Sequence, residues 1–255
     1  MTMEELMVDV SHMVSAEWTK LRSVRSNLWV LAAIVAVVIG LAVVVAETRS
    51  LQPDDTVLGG SLTAGGTLAL LLAGALGASH MASEHGTGLI AMTFAACPQR
   101  RRVLFAKATV IAAALGATGL LAAVGGTLVG RWLLDGAAYA PGDPVPAVFG
   151  IAATVALTGI AGLAVGAVVR HPAGAAGTVM GVVLLPILLG PLTGDLQPWV
   201  AGASPSGVLQ KLAQSSDAVP ETVGTLGAWP SLAVLTGCVC AGVVVAALIV
   251  ERRDA

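Results

Sequence analysis

Residues 83–107 read S-E-H-G-T-G-L-I-A-M-T-F-A-A-C-P-Q-R-R-R-V-L-F-A-K, a polar island between two long apolar runs. Ser83-Glu84 is a helix-start pair, the residues through Phe94 read as helical, and Cys97-Pro98 stops them because proline has no N–H to carry a helix onward. Arg100, Arg101 and Arg102 follow, and apolar sequence resumes at Lys107. Two apolar runs joined by such an island read as two membrane spans with a water-exposed turn between them.

The rest of the chain extends this reading. Of its 255 residues, 56% are hydrophobic and 11% charged, against about 25% charged in a soluble domain. Such a chain cannot cover its own surface with polar groups, so a bilayer is its solvent. Abundant Gly and Ala suit close helix packing in lipid. Six apolar segments run about 28–46, 58–79, 107–130, 147–169, 174–192 and 229–250. Each is near the ~20 residues a helix needs to cross hydrocarbon. None alternates apolar with polar residues, which argues against a barrel. The fold class expected is all-α: a polytopic membrane protein of six transmembrane helices over residues 28–250, preceded by an N-terminal interfacial amphipathic helix over 1–27 and closed by a tail at 251–255.

In that first helix Leu6, Met7, Val10, Met13, Val14, Trp18 and Leu21 recur at three- and four-residue spacing, with Asp9, Ser15, Thr19, Lys20 and Arg22 opposite. The pattern fits a helix lying on the membrane surface, anchored by Trp18, Lys20, Arg22 and Arg25 beside lipid headgroups. It also fits a soluble helix packed on a partner. No small-residue cleavage site is placed as processing would need, so the first apolar run is expected to remain as an anchor.

Orientation follows from the basic residues. With the N-terminus cytoplasmic, ten of the 13 Lys and Arg fall on the cytoplasmic side, and Arg49, Arg131 and Lys211 on the other. An even number of spans then puts both termini in the cytosol and residues 81–106 in a cytoplasmic loop. The stretch 193–228 lies outside and holds Leu196, Trp199, Val200, Val208, Leu209 and Leu212. So apolar a loop is expected to form short helices re-entering the outer rim, with a plain extracellular loop as the alternative. Pro186 and Pro191 in the fifth segment permit a kink.

Motifs for catalysis are missing. No Lys follows Gly, so a phosphate-cradling loop ending in Gly-Lys-Ser/Thr does not occur, and neither does a G-x-S-x-G elbow nor an HExxH pair. His80 and His85 are five residues apart, about 140° around a helix, and so do not point at one metal ion. The three cysteines read as small apolar fillers rather than a disulfide framework. No Asp or Glu falls in the middle of a span, which argues against ion-coupled transport and for an apolar pathway. The net charge of -2 suggests no nucleic-acid partner.

Three features resemble the permease subunits of type-two ABC exporters, in the form found in actinobacteria. They are the lead A-E-W-T-K-L-R-S-V-R-S at residues 16–26, the 83–107 island, and the six-span layout with a long apolar loop before the last span. The resemblance covers essentially the whole chain. It implies a non-enzymatic membrane subunit that forms half of an export pathway. It implies pairing with a second copy or a paralogue of the permease, and docking on an ABC ATPase subunit that alone binds ATP and Mg. In that family the 83–107 loop carries the coupling helix. Glu84, Gly86, Thr87, Leu89, Ile90, Pro98 and Arg100 are the positions that would engage the ATPase. Gly88 and Ala91 stand where bulkier apolar residues are usual. No cofactor is expected in the chain itself. The implied setting is the bacterial cytoplasmic membrane, with lipid and a hydrophobic or amphipathic cargo as further partners. A membrane anchor or assembly subunit without transport activity is the competing reading.

Overall fold

The computed structural model describes residues 3–51, 54–86, 88–89, 100–134, 139–192 and 194–253. Among these the secondary structure is helical, without strands. The chain begins with α1 (Met3–Ser23), breaks at the extended residue Val24, and continues as α2 (Arg25–Thr48). Next come α3 (Val57–Gly86) and α4 (Arg100–Leu133). A single π turn at Pro146–Gly150 leads into α5 (Ile151–Val169), which a two-residue turn joins to α6 (Pro172–Leu189). Three short helices follow, α7 (Gln197–Gly202), α8 (Pro205–Ala213) and α9 (Pro220–Val223), before α10 (Ala228–Arg253). Six helices are long and apolar enough to cross a membrane, and the chain is therefore an all-α, multi-pass membrane protein.

The spans satisfy their own backbones, as hydrocarbon demands. Three of their buried hydroxyls do likewise, while Ser61 Oγ and Thr127 Oγ1 are buried without a partner. Thr118, Thr154 and Thr158 each donate to a carbonyl one turn back, at 2.8 Å in all three cases. The α5–α6 turn is tight because Arg170 takes a left-handed conformation (φ 58°) and His171 caps α6 through Nδ1, which accepts from Gly174 N–H at 3.2 Å.

Helix α3 is the axis of the bundle and packs against α2, α4, α5, α6 and α8. Its small residues allow this. A Cβ on Gly65 would stand 2.7 Å from Val38 Cα of α2. Toward α5 the approach is closer still. A Cβ on Gly77 would overlap the Gly159 carbonyl oxygen, and one on Gly162 would overlap that of Gly74. In lipid, where burial of apolar surface drives nothing, such backbone-to-backbone contact is a principal source of helix association.

The sequence 194–223 forms short helices as its apolar content suggests. Helix α8 is enclosed by the bundle, with Val208, Leu209 and Leu212 fully buried against α3, α5, α6 and α10. Ser204 caps it by accepting from Gly207 N–H at 3.0 Å. Polar contacts tie this end of the molecule together. Gln214 exchanges hydrogen bonds with the Asp143 backbone, at 2.9 and 2.7 Å, and the Asp55 carboxylate accepts from Ser216 N–H at 2.9 Å.

One boundary differs from the sequence reading. Glu84 does not open a helix; α3 runs on to Gly86, and α4 starts at Arg100, so residues 81–86 and 100–106 belong to these long helices. The Ser83-Glu84 signature has no apolar periodicity to begin, because the preceding helix has not ended. Beyond α3, Gly88 has a φ of 74°, which suits a residue without Cβ.

Candidate functional site

The polar residues converge at the Glu84 end of the bundle, where α1, α3 and α4 meet. Helix α1 reaches it along one narrow face: Met13, Val14, Glu17, Lys20 and Leu21 point inward at helical spacing, and Leu21 is buried. Glu17 travels with these apolar neighbours and is only 4% exposed. From α3 come His80 and, one turn later, Glu84. From α4 comes Lys107, wholly enclosed at 0% exposure.

Lys107 Nζ donates to Glu17 Oε2 at 2.7 Å and to Glu84 Oε1 at 2.6 Å. Lys20 Nζ donates to Glu17 Oε1 at 2.8 Å and to Glu84 Oε1 at 3.1 Å. Each carboxylate thus bridges both ammonium groups, and the charges cancel in pairs. His80 Nε2 lies 3.6 Å from Glu17 Oε2, near enough to bias its charge but beyond a good hydrogen bond. His80 Nε2 and Glu84 Oε2 are buried and have no hydrogen-bond partner.

Burial alone would raise the Glu17 carboxyl above its ordinary range. His80, Lys107 and Lys20 beside it more than offset that, and together hold it at about 2. Lys20 is the mirror case. Burial pulls its ammonium down, while Glu17 and Glu84 push it up further. Glu84 sits in the last turn of α3, where the helix dipole disfavours a carboxylate by about 0.3–1 kcal/mol. The two lysines supply the compensation.

Glu84 and Lys107 are buried at the ends of their spans rather than in the middle. Lys20, read as a headgroup anchor, has its ammonium on Glu17 and Glu84, with 42% of its side chain exposed. Trp18, Arg22 and Arg25 are exposed. Of the described positions assigned to ATPase coupling, Glu84 alone enters the cluster. Gly86 ends α3 with open space where a side chain would go, Leu89 is exposed, and Arg100 opens α4. Thr87, Ile90 and Pro98 lie outside the described residues, as does Cys97. Cys238 and Cys240 are free thiols.

Sequence reasoning missed Glu17, weighed His80 only as a metal ligand and treated Lys107 only as a topological charge. A signal for Glu17 was present, since it is a carboxylate on the same helical face as Met13, Val14 and Leu21. Chemically the arrangement is a neutral ionic lock across three helices. Among the described residues no three His, Cys, Asp or Glu gather around a point where a metal would sit. No protein-family model and no curated protein matches the chain.

Proposed function

We propose that the chain is the permease subunit of an ATP-driven exporter of the type-two ABC class, forming half of a translocation pathway and driven by a separate ATPase. The observation that supports this reading best is the Glu17–Lys20–Glu84–Lys107 lock. It joins the N-terminal helix to the two helices that emerge from either side of residues 87–99. A force applied to that loop enters α3 and α4 together. The lock passes it to α1, because each of the two carboxylates holds both ammonium groups. In this reading the Glu84 end faces the cytosol of a bacterial cell, with both termini beside it. Lipid surrounds the spans, and a second copy or paralogue completes the pathway.

Glu84 is a poor test of coupling, because its loss disturbs the lock itself. Gly86 is a cleaner one: a Cβ there meets nothing within 4 Å among the described residues. Gly86→Trp is expected to leave thermal unfolding unchanged while weakening co-purification with a partner ATPase and lowering ATP-dependent transport about tenfold, a coupling loss near 1.4 kcal/mol. Full transport by this variant would overturn the coupling role. A chain that binds no nucleotide-hydrolysing subunit at all would instead favour the non-transporting anchor.

A further inference from the structure

Two cavities adjoin at the end of the molecule opposite the ionic lock. The first is an apolar groove of 560 Å³ between α5, α6 and α10, walled by Ala164, Val168, Val182, Leu235, Cys238 and Gly242. The second is a recess of 470 Å³ among α7, α8 and α9, mostly apolar in surface but with Gln197, Gln210, Ser216 and Asp217 in its wall. Both share Pro186 and Ser204 as wall residues, and each falls in the size range of pre-formed small-molecule sites, about 300–1,000 Å³.

The geometry points to a binding site for a single-chain amphiphile, its hydrocarbon tail in the groove and a hydrogen-bond-donating headgroup without negative charge in the recess. The tail assignment rests on a wall of aliphatic side chains. Pro186, inside α6, strengthens it by lacking an N–H for the carbonyl one turn back, which loosens the helix where groove and recess meet. The headgroup assignment rests on which polar atoms are unoccupied. Ser216 Oγ is buried with no hydrogen-bond partner. Neither cavity wall contains Lys, Arg or His, and the recess contributes the Asp217 carboxylate. The nearby Lys211 turns away, its ammonium donating to Ser231 Oγ at 2.8 Å. A phosphate or carboxylate headgroup would find repulsion and no counter-charge. Hydroxyls or an ammonium would find acceptors. A lone apolar groove in a membrane protein means only lipid contact; the adjoining recess gives this one a polar address. The inference does not depend on transport or on an ATPase.

The test uses the full chain in phosphatidylcholine nanodiscs and a diazirine-bearing dodecyl glucoside, with crosslinks mapped by mass spectrometry. Labelling is expected on 164–168, 182–186 and 235–242. Gly242→Leu fills the groove without a clash, since nothing lies within 4 Å of its Cβ position, and Gly237→Leu makes the same change on α10 outside the groove. Gly242→Leu should cut labelling about tenfold, equivalent to about 1.4 kcal/mol, and Gly237→Leu should leave it intact. Unlabelled dodecyl glucoside or dodecylammonium should compete, and dodecyl phosphate should not. Asp217→Asn separates the two supporting cases by weakening only dodecylammonium. Undiminished labelling in Gly242→Leu, or equal competition by dodecyl phosphate, would overturn the site.

Discussion

Helix α3 makes two kinds of contact along its length, and they hold by opposite means. At mid-length, Gly74 and Gly77 lie against Gly159 and Gly162 of α5 with no room for a methyl group. At its end, Glu84 meets Lys20 and Lys107 through charge. The seam is a fit of shapes: it has one arrangement and no dependence on pH. The lock is a balance of charges: it keeps its strength only while every member is present and ionised. A bundle built this way has a stiff waist and a conditional end.

The largest break should come from the lock. Lys107→Met leaves two buried carboxylates with one ammonium between them, and is expected to cost about 3–5 kcal/mol in thermal unfolding of the purified protein. Adding Glu17→Gln and Glu84→Gln should recover most of that loss, since an uncharged, well-filled site is no worse than a paired one. Lys20 tolerates the change because it can reach water. Persistent instability of the triple variant would mean that shape, not charge, matters here.

Next in size is Gly77→Ala. The added methyl would meet backbone rather than a flexible side chain, so α3 and α5 must separate, at a cost of about 1–3 kcal/mol. Its signature is a lowered melting temperature that does not vary with pH.

Acid sharpens the contrast. The Glu17 carboxyl has an ordinary value of 4.5 and is held at about 2 in the folded chain. A carboxyl with a lowered folded value stabilises fully above the unfolded one. Its contribution should therefore be intact above about 4.5 and decline as pH falls toward about 2. Melting curves across that window should steepen in loss for the parent and for Gly77→Ala, and flatten in Glu17→Gln.

The smallest effect belongs to the exposed ion pair of Arg101 with Glu251, which links α4 to α10 at the same end. Arg101→Ala should leave the melting temperature almost unchanged, because exposed charges gain little from pairing.

The spans were legible because each is long and uniformly apolar, and that property needs no partner to be seen. The lock was not legible in the same way. Lys107 and Glu17 are 90 residues apart, and no spacing rule connects them. Lys107 at the edge of an apolar run looks like any charge that marks the inner face. Glu84 was singled out, but for a helix start that the continuous α3 does not contain. Glu17 alone carried a local sign, a carboxylate on an apolar face, which is an anomaly that burial explains.

Glu17 also constrains the order in which the bundle can be assembled. The two carboxylates are matched in charge only with both Lys20 and Lys107 at hand, so α1 cannot settle until α4 has been delivered. Until then its carboxylate and Lys107 must each remain hydrated. Closing this end is a late event in biogenesis, whatever the order of synthesis.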